Sequence, residues 1–167
     1  MEKAIALDPN DLDSREGVYQ FYQNAPWPIG SSSKAATQLA EIKKRDPDRW
    51  TVLSISTKAR AKDYTGAFKL IDEILAKSPD NYVAHYQYGR TAAVADLNLP
   101  AGLTHLQKCL TLTPPGPASP THSHVWNRIG NIHEKLKQPT EARAAYESAL
   151  KLDPANKAAA DSLAKLK

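Results

Sequence analysis

The chain has 167 residues and a formal net charge of +4, with 41% hydrophobic and 24% charged residues, so its composition is that of a globular protein. This length suits one ordinary domain or one short repeat array, and such a chain folds without metal or disulfide staples. Cys109 is the only cysteine, which excludes an intramolecular disulfide and a cysteine-rich zinc site, and no apolar run approaches the roughly 20 residues of a membrane-spanning helix.

The charge pattern bears on the class of partner. The 22 basic residues are interleaved with the 18 acidic ones and form no extended basic block, so we expect no nucleic-acid partner. The start of the chain lacks a long apolar core, so we expect no signal peptide there. The compartment stays open, because a low cysteine count fits both the cytoplasm and a bacterial periplasm.

Prolines divide the chain at regular intervals. Proline cannot continue a helix, and five of them follow apolar, helix-like runs at spacings of 38, 32, 35 and 40 residues. These are Pro9, Pro47, Pro79, Pro114 and Pro154. Recurrent helix ends at such spacings predict a tandem array of helices.

The first elements are a half-helix and a helix pair. Residues 1–9 predict the second half of a helix, with Ala4 and Leu7 facing inward. Residues 10–47 predict two helices joined by a lengthened turn around Trp27. Because Trp27 lies between two prolines, it either folds back over the helices or forms an exposed contact for a partner.

Two further helix pairs follow, at residues 48–79 and 80–114. The first helix of the earlier pair, from about Trp50 to Arg60, has Thr and Ser where small apolar residues are expected. We therefore predict that it is the least stable part of the array, its soft spot. The later pair needs one extra residue near Asn98. A proline-rich segment then predicts a stiff surface loop.

The pattern is clearest in residues 121–154. Large, apolar and small residues recur there at spacings of three and four, which places them on one face of each of two helices. They are Trp126, Ile129, Gly130 and His133 in the first helix, and Ala142, Tyr146 and Ala149 in the second. Residues 155–167 predict a terminal or capping helix with Ala160, Leu163 and Ala164 on its apolar face.

This pattern resembles the tetratricopeptide repeat. Seven of the eight signature positions match, at Trp126, Ile129, Gly130, Ala142, Tyr146, Ala149 and Pro154. The eighth is His133, which stands where an aromatic residue is usual. The resemblance implies an all-α fold, a right-handed superhelical solenoid of about four tandem antiparallel helix pairs plus a terminal helix. It also implies that residues 1–167 form a single domain.

The resemblance further implies a non-enzymatic protein–protein interaction scaffold, because the first helix of each pair lines a concave face that binds peptides or partner helices. Counting from each proline gives the side chains expected to point into this groove. They are Gln20, Lys58, Tyr86, Arg90, Asn127 and Asn131. Arginine and asparagine donors suit a carboxylate or an extended backbone, so the expected partner is an acidic or C-terminal peptide. The alternative is that these are ordinary solvated side chains.

The two ends of the chain, the histidines and the cysteine each have a further interpretation. Both ends of the chain resemble incomplete half-repeats, which indicates either a piece of a longer repeat protein or a module that self-assembles head-to-tail. His122, His124 and His133 lack the carboxylate that would complete a metal site, so we expect no metal or cofactor. The resemblance places Cys109 at a position that packs tightly in this family, so it is expected to be a buried structural thiol, and no catalytic constellation is recognisable.

Overall fold

The computed structural model describes residues 2–166, and this part of the chain forms ten α-helices and no β-strand. The helices are α1 (Glu2–Leu7), α2 (Leu12–Asn24), α3 (Ser32–Arg45), α4 (Pro47–Arg60), α5 (Tyr64–Lys77), α6 (Tyr82–Ala95), α7 (Leu99–Thr111), α8 (His122–Lys135), α9 (Pro139–Leu152) and α10 (Lys157–Lys165). The all-α class with tandem helix pairs is therefore confirmed. Among the described residues, none of these helices is both long and apolar enough to cross a membrane.

Prolines begin helices as well as following them. α4 starts at Pro47, three residues before the expected start near Trp50, and α9 starts at Pro139. The first residue of a helix needs no N–H for the helical hydrogen bonds, so proline is tolerated there. The contacts of the chain divide it into two compact units, the first ending at Leu53 and the second beginning at Ser54.

In the first unit, α2 and α3 pack as a helix pair. Their core holds Tyr19, Ala35, Ile42 and Leu53. The buried Arg15 ties the turn before α2 to this pair, because its Nη2 donates to the Pro9 carbonyl oxygen at 2.8 Å and its Nη1 to Gln38 Oε1 at 3.0 Å.

The first unit has several exposed apolar side chains, and two of them, Leu7 and Trp27, bear on the expectations from the sequence. Leu7 is 88% exposed, so the expectation that it faces inward is wrong: it is the last residue of the short α1, and no further turn of helix follows it. Trp27 is 90% exposed, which decides between the two alternatives for the turn in favour of exposure.

The second unit contains the pairs α6–α7 and α8–α9, with α5 packed on α6 and α10 on α9. Glycines sit where the paired helices cross. A Cβ atom on Gly89 would collide with Leu106, and one on Gly130 would collide with the ring of Tyr146. These small residues let the backbones of the paired helices approach each other.

The terminal helix differs from the prediction in its first residue and in which of its sides is buried. α10 begins at Lys157, and Ala159 is buried while Ala160 is exposed, so the expected apolar face is wrong for Ala160 and Ala164. The reason is Asn156, which caps the helix at Ala159 N and donates from Nδ2 to the buried Ser123 Oγ at 2.8 Å. This anchor turns Ala159 toward α9.

Candidate functional site

A groove runs along α6 in the second unit and consists of two adjoining concavities that share Val94. One has a volume of about 260 Å³ and lies between α6 and the last turns of α4. The other has a volume of about 350 Å³ and lies between α6 and α8. We call the two together the α6 groove. Val94 is 57% exposed and gives the groove an apolar centre.

The charge of the α6 groove is mostly positive. Its lining includes four basic side chains, Arg60, Arg90, Arg128 and Lys135, and one carboxylate, Glu134. Arg90 is partly buried and oriented, because its Nη1 donates to Ser56 Oγ at 3.2 Å and to Gln87 Oε1 at 3.3 Å. A guanidinium held in this way is preorganised to meet a carboxylate.

Side chains on the α8 side of the α6 groove are linked by a chain of hydrogen bonds. Arg128 Nη1 donates to Asn131 Oδ1 at 3.1 Å, and Asn131 Nδ2 donates to the Tyr146 hydroxyl at 2.8 Å. That hydroxyl donates in turn to Glu134 Oε1 at 2.7 Å. Burial, followed by the bond to Glu134, raises the pKa of Tyr146 to about 12, so the phenol keeps its proton near neutral pH.

Two buried polar atoms of α8 have no hydrogen-bond partner within the described chain, the acceptor Asn127 Oδ1 and the donor Arg128 Nε. Asn127 is only 6% exposed. Buried polar groups are almost always paired, since an unpaired one costs about 1–3 kcal/mol.

The six residues expected to line a groove fall in different places. Arg90 and Asn131 line the α6 groove. Tyr86 and Asn127 are buried, because α6 and α8 pack against neighbouring helices on several sides. Lys58 pairs with Asp63 Oδ2 at 3.0 Å beside the start of α5. Gln20 belongs to the first unit, where it is exposed and donates to Glu16 Oε1 at 2.8 Å.

Four charged residues that line the α6 groove were not predicted by counting from the prolines. They are Arg60, Arg128, Glu134 and Lys135. A signal for three of them was present. Arg128 stands three before Asn131, and Glu134 and Lys135 stand three and four after it, so all share its helical face.

The histidines singled out in the sequence have separate partners. His122 Nε2 lies 2.9 Å from the Leu112 carbonyl oxygen, His124 Nδ1 lies 2.8 Å from the Thr121 hydroxyl, and His133 Nδ1 lies 2.7 Å from Gln138 Oε1. Within residues 2–166, no three His, Cys, Asp or Glu side chains are grouped so that they could hold a metal ion.

The cysteine is a buried thiol, as expected. Cys109 Sγ lies 3.5 Å from the Tyr82 carbonyl oxygen, to which it donates. Burial raises the pKa of Cys109 to about 12, so the nucleophilic thiolate is not populated near neutral pH.

Solved structures with the same fold span nearly all of the chain. One is PilF of Pseudomonas aeruginosa, from a study of its functional characterization, with a TM-score of 0.65 and 17% identity over 95% of this chain and 69% of that one. Another is PilW, a widely conserved type IV pilus biogenesis factor, with a TM-score of 0.53 and 13% identity over 97% of this chain and 87% of that one. At these identities the likeness concerns the fold alone.

The sequence comparisons point the same way. No curated protein matches this chain in sequence. Residues 124–156 match the family model of the tetratricopeptide repeat, and this segment covers most of α8, all of α9 and the crossing of Gly130 with Tyr146. The segment from residue 124 to residue 156 is thus a tetratricopeptide repeat, a motif that generally serves in protein–protein interaction scaffolds.

Proposed function

We propose that the chain is a non-enzymatic scaffold that binds an acidic segment of a partner protein in the α6 groove. The observation that supports this most is the charge of the groove, whose lining holds four basic side chains and one carboxylate, with Lys135 also paired to Asp96 at 3.8 Å. That carboxylate, Glu134, accepts the hydrogen bond of the Tyr146 hydroxyl. The field in the groove therefore favours an anionic ligand.

Arg90 and Arg128 are the residues proposed to bind carboxylates of the partner. Each guanidinium is fixed by a hydrogen bond to an uncharged side-chain oxygen, Ser56 Oγ for Arg90 and Asn131 Oδ1 for Arg128. Neither therefore needs to give up an ion pair in order to bind a ligand. Asn131 acts by positioning Arg128, since its own amide is already bonded on both sides.

Val94, which the two concavities share, would contact an apolar side chain of the bound segment. The other predicted residues have smaller parts in this proposal: Lys58 is engaged by Asp63, and Gln20 lies in the other unit.

The test is a pull-down from a lysate of the source organism with three baits: the natural chain, the double variant Arg90→Glu/Arg128→Glu, and the control Lys151→Glu. Lys151 is exposed on α9, away from the groove lining, and its substitution makes the same type of charge reversal. Circular dichroism establishes that each bait is folded.

We expect a protein that the natural chain and the control recover and that the double variant loses. A synthetic peptide of its binding segment is then expected to be acidic, with an affinity that falls as salt rises. Equal recovery by all three baits contradicts the proposal. Recovery of the chain alone by its own bait favours the alternative, head-to-tail self-assembly.

A further inference from the structure

A second groove lies on α5 and shares no lining residue with the α6 groove. Its volume is about 630 Å³, and it is bounded by one face of α5 and by the turn between α6 and α7. Phe68, Ala76 and Leu97 provide its apolar surface, and Lys69, Asp72 and Glu73 its charges. We call it the α5 groove.

The turn between α6 and α7 shapes one end of the α5 groove. Asp96 and Asn98 both adopt left-handed backbone conformations, with φ of 58° and 54°. Leu97 lies between them and is 49% exposed, so a large apolar side chain stands beside α5 instead of packing into the core. This turn contains the extra residue that the repeat pattern required near Asn98.

The floor of the α5 groove is a packed aromatic pair. The ring of Phe68 lies against that of Tyr88, with centroids 4.8 Å apart, and Phe68 is buried. Aromatic rings in such contact resist displacement, so an incoming side chain meets a preformed apolar surface.

The charge of the α5 groove is opposite to that of the α6 groove. Asp72 and Glu73 are exposed, and neither forms a hydrogen bond or an ion pair with another residue in the described part of the chain. Two unpaired carboxylates beside an apolar floor complement a cationic group attached to an apolar segment.

We infer that the α5 groove docks a basic, apolar segment of a partner protein. An apolar side chain of the size of Leu or Phe would rest on Phe68 and Leu97. An Arg or Lys near it would pair with Asp72 and Glu73. Since the two grooves are lined by different residues and carry opposite charges, this inference does not depend on ligand binding in the α6 groove.

The test uses random twelve-residue peptides displayed on phage and selected on the immobilised full-length chain. Enriched peptides are synthesised, and their affinities are measured for the natural chain, for Asp72→Lys/Glu73→Lys and for the control Glu147→Lys/Asp161→Lys. The control pair is exposed on α9 and α10, outside both groove linings. A third variant, Leu97→Asn, tests the apolar contact at a position that is already half exposed.

We expect the enriched peptides to combine Arg or Lys with a nearby Leu or Phe. Their affinity should fall about tenfold or more for Asp72→Lys/Glu73→Lys, fall for Leu97→Asn, and stay unchanged for the control. Amide chemical shifts should move around Phe68 and Leu97.

Three results would overturn the inference. One is enrichment of peptides without a cationic residue, and another is equal affinity for all variants. The third is sedimentation showing a dimer of the natural chain that Asp72→Lys/Glu73→Lys dissociates, because the occupant would then be a second copy.

Discussion

The Nδ1 atoms of His85 on α6 and His105 on α7 lie 2.8 Å apart, so a single hydrogen bond joins the two imidazoles. His85 Nε2 also lies 2.8 Å from the carbonyl oxygen of Pro79, which can only accept, so Nε2 must hold a proton. Neutral His85 then accepts at Nδ1, and His105 donates its Nδ1–H. The ring of His105 stacks on Tyr88 at a centroid distance of 3.9 Å.

This pair predicts that acid destabilises the second unit. Burial, and then the nearby His85, lowers the pKa of His105 below its ordinary value of 6.5, while Asp72 of α5 opposes this shift. The unfolded chain then binds the proton more tightly than the folded chain. The stabilisation is fully present above the ordinary pKa and is lost as pH falls through and below it.

Urea denaturation at about pH 7.5 and at about pH 5 measures this effect. The loss of unfolding free energy between the two pH values should be smaller for His105→Gln than for the natural chain. His124→Gln, which changes an exposed histidine, should behave like the natural chain. An equal loss in all three would show that the pair has no part in acid sensitivity.

A second prediction concerns the crossing of α8 and α9. A Cβ atom on Gly130 would collide with the ring of Tyr146, which cannot swing aside because its hydroxyl is bonded to Asn131 and Glu134. Gly130→Ala should therefore lower the free energy of unfolding by about 1–3 kcal/mol, despite the better helix propensity of alanine.

The matched control for this crossing is Gly116→Ala, since nothing lies within 4 Å of the Cβ position at Gly116. Denaturant unfolding compares the two variants. If both changed stability equally, the crossing would have room for a methyl group.

Gly130 and Arg128 show which features of the structure could be predicted from the sequence and which could not. The small residue at Gly130 and the large one at Tyr146 are set by helix packing, so spacing alone placed each of them on the packed face of its helix. Which face of a helix borders a groove depends on how its neighbours pack, and for that reason Arg128 was missed. Ala160 was misplaced for a similar reason, because the buried bond between Asn156 and Ser123 fixes the rotation of α10.

A third prediction concerns the helix that the sequence indicates as a soft spot. Ser54 Oγ on α4 is buried and has no hydrogen-bond partner within the described chain. Removing an unsatisfied hydroxyl eliminates its desolvation cost, and alanine is the better helix former, so Ser54→Ala should stabilise the chain by about 1 kcal/mol. Thermal and urea unfolding measure the gain.

The control for helix propensity is Ser32→Ala, which changes an exposed serine in α3. A loss of stability at Ser54 would mean that its hydroxyl has a partner in solution.

The last prediction concerns the hydroxyl of Tyr146, which links the core of the α8–α9 pair to the wall of the α6 groove. It accepts from Asn131 Nδ2 and donates to Glu134 Oε1. Tyr146→Phe keeps the ring against Gly130 but removes both bonds. The free energy of unfolding should fall by about 1–2 kcal/mol, because Asn131 is left with an unpaired amide.

The same change should act on the groove, since Asn131 no longer holds Arg128 in place. Affinity for an acidic peptide should fall even under conditions where the variant is fully folded. Tyr64→Phe is the matched control, because Tyr64 forms no hydrogen bond with another described residue. Denaturation and peptide titration of both variants separate the two effects. A Tyr146→Phe chain that is less stable but binds as tightly as Tyr64→Phe would show that Arg128 is held without Asn131.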